Sequence, residues 1–156
     1  MVQPQRLRKK IWILKMTLKI KYLHPGAFLP KYLRQGDASM DLYANENNIL
    51  QPHQRALIST GIAMAIPTGH VGLIWDRSGM AANHGIKSMG GVIDCNYRGE
   101  VKVILHNLTD QPFNVEKGMR IAQMLIQKVE QKEILEVEEL DDSIRGEKGF
   151  GSTGLK

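Results

Sequence analysis

The sequence ends in a glycine-rich segment whose side chains suit the binding of an anionic, aromatic ligand. Residues 145–156 combine four glycines with the guanidinium of Arg145, the hydroxyls of Ser152 and Thr153, and the ring of Phe150. Glycines let backbone N–H groups converge on an anion, and hydroxyl and guanidinium groups add further donors. An aromatic ring on a solvated terminus indicates that a flat group covers it. The segment therefore predicts a flap that closes over a phosphorylated aromatic ligand.

Two other interpretations of this segment compete with the flap. Glycine-rich termini are commonly disordered tails. The segment also partly matches a phosphate-binding P-loop, which requires a strand before it and a helix after it. Only two residues follow Gly154, too few for that helix, so the P-loop is not favoured. The flap in turn requires a matching site elsewhere in the chain.

Residues 77–79 are a candidate anion-binding turn. Arg77, Ser78 and Gly79 follow a predicted strand and begin a predicted short helix. A guanidinium, a hydroxyl and the backbone N–H groups of a helix start can all donate to phosphate oxygens. An ordinary helix cap is the competing interpretation.

Asp94 is a candidate general base. It follows Val92 and Ile93, so its carboxylate would lie at the end of an apolar strand, held rigidly and partly desolvated. That placement suits a group that accepts a proton from water. A turn-forming aspartate is the commoner explanation of such a residue. Tyr97, three residues later, would ordinarily be a half-buried aromatic of a sheet.

The elements that must position these groups are predicted to be strands. Short apolar runs alternate with turn residues, which is typical of an all-β sandwich or barrel. The runs are Leu57–Ile58, Ile62–Ile66, Val71–Trp75, Val101–Leu105 and Ile121–Ile126. In one of them Val101, Val103 and Leu105 alternate with Lys102 and Ile104, which predicts a strand with one face fully buried and the other mixed. One short helix is predicted at residues 78–83, with Asp76 or Ser78 near its N-cap and Gly85 as its stop. Residues 130–142 fit a helix or a strand.

The charge distribution argues against a nucleic-acid surface. The net charge is +5, but residues 1–15 carry five basic side chains and no acidic one, so the rest of the chain is neutral. The basic pI therefore describes an appendage, which we expect to be a poorly ordered extension. Its apolar stretch, Ile11–Leu14, is too short for a membrane span.

Cysteine and histidine usage narrows the chemistry further. Cys95 is the single cysteine, which excludes an intrachain disulfide and favours the reducing cytoplasm. The five histidines lack the spacing of a zinc site.

Five segments, in this order and spacing, resemble the motifs of the trimeric dUTP pyrophosphatase (dUTPase) family. They are Asp37-Ala38-Ser39-Met40-Asp41-Leu42, Arg77-Ser78-Gly79-Met80-Ala81, Gly91-Val92-Ile93-Asp94-Cys95-Asn96-Tyr97-Arg98-Gly99-Glu100, Gly118-Met119-Arg120-Ile121-Ala122-Gln123-Met124 and the terminal residues 145–156. The resemblance covers roughly residues 16–156. It implies an all-β, distorted jelly-roll or β-barrel-like fold with one short helix. The β domain would span residues 16–142, and residues 143–156 would form a flexible flap.

The resemblance also implies a function. The family hydrolyses dUTP to dUMP and pyrophosphate with Mg²⁺, which keeps uracil out of DNA and supplies dUMP for thymidylate synthesis. A cytoplasmic homotrimer with active sites at its interfaces would be expected, with no nucleic-acid or membrane partner.

Roles carried over from the family follow its motifs. Asp94 would direct a water at the α-phosphorus, and Tyr97 would pack against the deoxyribose. A β-hairpin across about Gly85 to Tyr97, including Gly91, would read the uracil, and Asp41 would reach the metal indirectly through water. Phosphate contacts are expected from Arg77, Ser78 and Gly79 of a neighbouring subunit, and from Gln123 at the α-phosphate. In the flap, Phe150 would stack over the uracil. The flap would also contribute Arg145, Gly151, Ser152 and Thr153 to substrate binding.

The sequence also departs from the family pattern. Ser39 stands where the family usually has glycine, Met40 replaces a frequent aromatic, and Asn96 occupies an often acidic position. Two alternatives stay open. A dCTP deaminase on the same fold would need a glutamate to activate water, and Glu100 is the only acid near the hairpin end. A catalytically idle nucleotide sensor is the other.

Overall fold

A computed structural model describes residues 17–147 and Gly149. In this part of the chain ten strands and one short helix follow one another. They are β1 (Lys19–Tyr22), β2 (Met40–Tyr43), β3 (Asn48–Leu50), β4 (Arg55–Ala65), β5 (His70–Trp75), α1 (Ser78–His84), β6 (Ile86–Met89), β7 (Val92–Ile93), β8 (Glu100–Asn107), β9 (Phe113–Val115) and β10 (Arg120–Lys128). The predicted all-β class with one short helix is confirmed.

The strands form two four-stranded sheets and a small two-stranded one. The orders are β1-β4-β8-β6, β2-β10-β5-β7 and β3-β9, and every pair is antiparallel. The core takes buried side chains from both large sheets. On β8, Val101, Val103 and Leu105 are buried while Lys102 is exposed, so the predicted one-sided burial of this strand is confirmed.

The two apolar runs predicted around residues 57–66 belong to one long strand. β4 is interrupted by an irregularity in its pairing with β8 between Ser59 and Ala63, which we call the β4 bulge. Gly61 lies inside it with φ +70°, and a Cβ there would come within 2.8 Å of the Ala27 Cβ. A glycine is therefore required at the bulge. Because it has no side chain, it interrupts the apolar pattern, and the sequence showed two short apolar runs where the structure has one strand.

Helix α1 begins and ends close to its predicted bounds. Gly85 closes it in the left-handed conformation, as predicted, and its N–H bonds to the carbonyl of Ala81. The predicted N-cap was wrong, because Arg77 holds that position without a side-chain cap bond. The Asp76 carboxylate bonds to Ser88 and Lys87 on β6 instead of to the helix.

The predicted β-hairpin across Gly85 to Tyr97 does not form as a pair of bonded strands. β6 pairs with β8 in one sheet, whereas β7 pairs with β5 in the other. Gly90 and Gly91, with φ of +63° and +96°, carry the chain between the two sheets. This segment therefore ties the sheets together at the point where Asp94 follows.

Residues 130–142, which fitted either element from sequence, form neither a helix nor a strand. They carry exposed apolar side chains, among them Ile134, Leu135 and Leu140. The predicted N-terminal extension, residues 1–15, lies outside the described residues. None of the described helices is long and apolar enough to cross a membrane.

Candidate active site

The predicted site residues fall into two separate cavities of the chain. One, of about 380 Å³, holds Arg77, Ser78, Gly79, Gln123 and Asp41 in its lining, and we call it the arginine cavity. The other, of about 310 Å³, holds Gly91, Asp94 and Tyr97, and we call it the tyrosine cavity. A single chain therefore groups the predicted anion-binding residues apart from the predicted base and aromatic ring.

Ion pairs fix the guanidinium of the arginine cavity. Arg77 donates through Nε to Asp41 Oδ1 at 3.0 Å and through Nη1 to the carbonyl of Arg120 at 3.3 Å. The Arg120 Nη1 group donates to the other oxygen of Asp41 at 3.2 Å. Asp41 is 8 % exposed on β2, so it is buried with both carboxylate oxygens paired to arginine. Its visible role is to hold Arg77 at the cavity wall.

The amide of Gln123 is also held in one orientation. Its Nε2 group donates to the carbonyl of Asp76 at 2.7 Å, and its Oε1 atom accepts from the Ser39 hydroxyl at 2.6 Å. Ser39, one of the departures from the family pattern, thus supplies a bond that glycine could not. The amide lies in the cavity lining between β2 and β5, the two strands that flank β10.

Gly79 is open toward the arginine cavity. A Cβ at this position would meet no heavy atom within 4 Å, and the backbone does not need glycine there. Nothing in the described part of the chain therefore requires a glycine at this position, and its backbone is open to close approach.

Asp76 connects the turn before α1 to β6, a contact that the sequence did not predict. Its carboxylate accepts from the backbone N–H of Ser88 at 2.5 Å and from the Lys87 ammonium at 2.6 Å. Burial alone would raise the pKa of Asp76, but the bonds from Lys87 and Ser88 outweigh it and the pKa is lowered. The charged Asp76 carboxylate therefore joins the start of the candidate anion-binding turn, residues 77–79, to β6. No local pattern reveals this contact, because the partners are eleven and twelve residues apart on different elements.

Asp94 lies immediately after β7, as predicted, but it is exposed in the single chain. Its carbonyl accepts from the Tyr97 N–H at 3.1 Å, so Asp94 also begins a turn. Asp94 therefore both begins a turn and places its carboxylate at the end of a strand, as the two interpretations of the sequence predicted. The described residues do not provide the partial desolvation expected from sequence.

The Tyr97 ring is held in place by the turn that follows it. Its hydroxyl donates to the carbonyl of Glu100 at 3.0 Å, and the ring is 44 % exposed. A Cβ at Gly99 would overlap the ring, so the ring lies directly over this glycine. The exposed face of the ring borders the tyrosine cavity.

Gly91 is required by the backbone in the tyrosine cavity. Its φ is +96°, and its carbonyl oxygen accepts a hydrogen bond from the Ile74 N–H at 2.8 Å. A Cβ at this position would lie 2.8 Å from the Ile74 carbonyl oxygen. The glycine therefore lets the chain pass close to β5 just before Asp94.

The Glu100 carboxylate does not have the role that a dCTP deaminase would require of it, which is to activate a water. Its Oε1 atom accepts from the N–H of Gly61 at 2.8 Å and from the Ser59 hydroxyl, and Lys102 Nζ lies 3.4 Å from Oε2. Burial alone would raise its pKa, but these bonds and the Lys102 charge lower it. A carboxylate so engaged is poorly suited to activate a water.

The structure describes only some of the residues predicted to form the flap. Arg145 lies among the described residues and is exposed. Phe150, Gly151, Ser152 and Thr153, which the sequence assigned to the base and the phosphates, lie outside the described residues.

The donor set does not fit a divalent ion held by protein groups alone. The described residues contain no cluster of three histidine, cysteine, aspartate or glutamate side chains. Asp41, the predicted indirect ligand, has both oxygens engaged by arginine. The residues present do fit a divalent ion that arrives bound to a polyphosphate, because the arginine cavity presents donors for phosphate oxygens.

Together the two cavities offer what a nucleoside phosphate requires, namely anion donors in one and a carboxylate with an aromatic ring in the other. Comparison with known proteins agrees. The dUTPase family model matches residues 27–154. The deoxyuridine 5'-triphosphate nucleotidohydrolase of Corynebacterium glutamicum is 48% identical over 141 residues, covering 88% of this chain and 95% of the relative. That of Clostridium kluyveri is 47% identical over 141 residues, covering 89% of this chain and 99% of the relative.

Solved structures give the same result. A mutant dUTPase of Staphylococcus bacteriophage 80alpha with dUpNHpp has a TM-score of 0.85 and 32% identity, covering 90% of this chain and 99% of that one. A mutant dUTPase from phage phi11 of S. aureus, which coordinates a structural Mg(II) ion, has a TM-score of 0.76 and 26% identity over 81% of this chain and 99% of that one. The chain belongs to the dUTPase family.

Proposed function

We propose that this chain hydrolyses dUTP to dUMP and pyrophosphate, which keeps uracil out of DNA and supplies dUMP for thymidylate synthesis. The observation that carries the proposal is the division of labour between the cavities, with phosphate donors in one and Asp94 beside Tyr97 in the other. Its relatives support it, since they are named deoxyuridine 5'-triphosphate nucleotidohydrolases.

The chemistry assigned to this site is an in-line attack of water on the α-phosphorus. Asp94 accepts the proton of the attacking water, and pyrophosphate leaves. Arg77, Ser78 and Gln123 bind the phosphate oxygens and orient them. Little covalent work falls to the protein, so positioning and charge neutralisation supply most of the rate. Tyr97 packs against the deoxyribose, and the residues of the flap cover the bound nucleotide from the C-terminal side.

A homotrimer with active sites at its interfaces would bring the two cavities of different chains together. Three features support it. Asp94 is exposed in the single chain, Gly79 faces open space, and apolar side chains such as Ile134 and Leu140 are at least 88 % exposed on a segment without strands. Each is an incomplete feature that a second subunit would complete.

The substrate is proposed to enter as the Mg²⁺ complex of dUTP, with the metal held by phosphate oxygens and water. We also propose a cytoplasmic location, because the single cysteine fits a reducing compartment.

Replacing Asp41 tests whether this carboxylate serves arginine or the metal. In Asp41→Asn, Arg77 and Arg120 lose their shared counter-charge. We expect the KM for dUTP to rise about 10-fold and stability to fall by about 1–3 kcal/mol. The Mg²⁺ concentration for half-maximal rate at saturating dUTP should not change. Asp37→Asn is the matched control, because Asp37 lines the same cavity but bonds only to the Arg34 N–H. A raised Mg²⁺ requirement with an unchanged KM would assign Asp41 to the metal.

A screen of the nucleoside triphosphates with Mg²⁺ tests the function itself. We expect release of dUMP and pyrophosphate from dUTP at least 100-fold faster than hydrolysis of dCTP or UTP, because a polar mismatch rejects cytosine and an excluded hydroxyl rejects the ribonucleotide. The preference over dTTP should be at least about 10-fold, because one extra methyl against a tight wall is worth about 1–3 kcal/mol. Ammonia released from dCTP would establish the deaminase instead. Tight dUTP binding without turnover would establish the sensor.

A further inference from the structure

Glu100 is bound by its side chain to the β4 bulge. The bulge lacks part of its ladder to β8, and side chains replace the missing bonds: Ser59 and the N–H of Gly61 donate to one oxygen of the Glu100 carboxylate, the latter at 2.8 Å. The Thr60 hydroxyl donates to the carbonyl of Val101 in the same region. The Glu100 side chain is only 15 % exposed, so this carboxylate is an internal anchor.

The same residue receives the Tyr97 hydroxyl on its backbone. Tyr97 Oη donates to the carbonyl of Glu100 at 3.0 Å, while the ring lies over Gly99. Glu100 thus has two connections, one through its carboxylate to β4 and one through its carbonyl to the ring. The ring has no further hydrogen-bonding group, so the position of its edge is set by where residue 100 is held.

We infer that Glu100 is a positioning residue that fixes the Tyr97 ring and thereby sets the discrimination of this enzyme against ribonucleotides. The inference rests on the proposed function, in which that ring packs against the sugar. The ring can exclude the 2′-hydroxyl of a ribonucleotide only if it does not move by about 1 Å. A displacement of that size in an active site changes the rate by a large factor. The carboxylate anchor supplies the stiffness, because displacing residue 100 would leave the Ser59 hydroxyl and the Gly61 N–H without their acceptor.

The ratio of kcat/KM for dUTP to that for UTP is the quantity to measure. In Glu100→Ala the ratio should fall about 10-fold, chiefly because UTP becomes a better substrate. Glu100→Gln should restore it, since the amide oxygen can still accept from Ser59 and Gly61. The matched control is Glu46→Ala. Glu46 accepts from the N–H of Ser59 on β4 at 3.0 Å, and no hydrogen bond among the described residues joins it to Tyr97. That control should keep the wild-type ratio.

A double variant shows whether the effect passes through the ring. Tyr97→Phe removes the hydroxyl bond and should lower the ratio by itself. Adding Glu100→Ala to Tyr97→Phe should lower it no further, because the tether is already broken. Additive losses would overturn the inference, as would an equal loss in Glu46→Ala.

Two further outcomes keep the test decisive. Should Glu100→Ala fail to fold, Ser59→Ala removes one donor and should lower the ratio by a smaller factor; a wild-type ratio in that variant contradicts the inference. Absence of dUTP turnover in the wild-type protein would instead refute the proposed function, which is a distinguishable result.

Discussion

Asp94→Asn is expected to abolish turnover of dUTP while leaving its binding intact. The change removes the group proposed to take a proton from the attacking water, and general-base catalysis is worth on the order of 100-fold to 10,000-fold. Asparagine keeps the size and polarity of the side chain, so the affinity for dUTP should change by less than about threefold. Pyrophosphate release and calorimetric titration with dUTP measure the two quantities.

The fold should not suffer, because the Asp94 side chain is exposed and substitutions at such positions change stability by less than about 0.5 kcal/mol. Asp110→Asn is the matched control, since Asp110 is an exposed aspartate whose contact is to His53, away from both cavities. Near-normal turnover in Asp94→Asn would show that the base is elsewhere.

The same variant can show that each active site is shared between chains. Arg77→Ala and Asp94→Asn should each be inactive, yet trimers assembled from an equal mixture should regain activity at about one quarter of the sites, where an intact Asp94 meets an intact Arg77 of the neighbouring subunit. If both cavities of one chain served a single site, no mixture would regain activity. The physical basis is the separation of the two residues into different cavities.

The sequence predicted best what short-range pattern encodes. The alternation on β8 and the left-handed glycine after α1 both depend on neighbours within a few residues, and the structure has both. The five family motifs could also be recognised from the sequence, because their order along the chain does not depend on the three-dimensional structure. The placement of Asp94 directly after an apolar strand followed from Val92 and Ile93 in the same way.

Pairing between distant segments could not be predicted. A hairpin was expected across Gly85 to Tyr97, but the two strands of this segment, β6 and β7, join different sheets. Asp76 was assigned to a helix cap for the same reason: its local position suits a cap, and the stronger partners on β6 become visible only in three dimensions. The two-cavity arrangement likewise arises from the sheet order, which no motif spacing contains.

Deleting residues 145–156 should reduce the rate far more than the stability. Among the described residues the core draws on side chains between Leu18 and Ile126, so we expect the midpoint of thermal unfolding to stay within about 2 °C. The flap is expected to cover the bound nucleotide and exclude water, so kcat/KM for dUTP should fall at least about 100-fold.

A single substitution separates the contribution of the ring from that of the whole segment. Phe150→Ala should cost about 10-fold to 100-fold in kcat/KM, because stacking of a base on an aromatic ring is worth about 1–3 kcal/mol. Leu155→Ala is the control in the same segment, since it removes an apolar side chain that has no assigned contact with the nucleotide. We expect the truncated protein to lose turnover because it lacks the groups proposed to close over the nucleotide: the guanidinium of Arg145, the hydroxyls of Ser152 and Thr153, and the Phe150 ring. Full activity of the truncated protein would instead make residues 145–156 the disordered tail that their composition also allows.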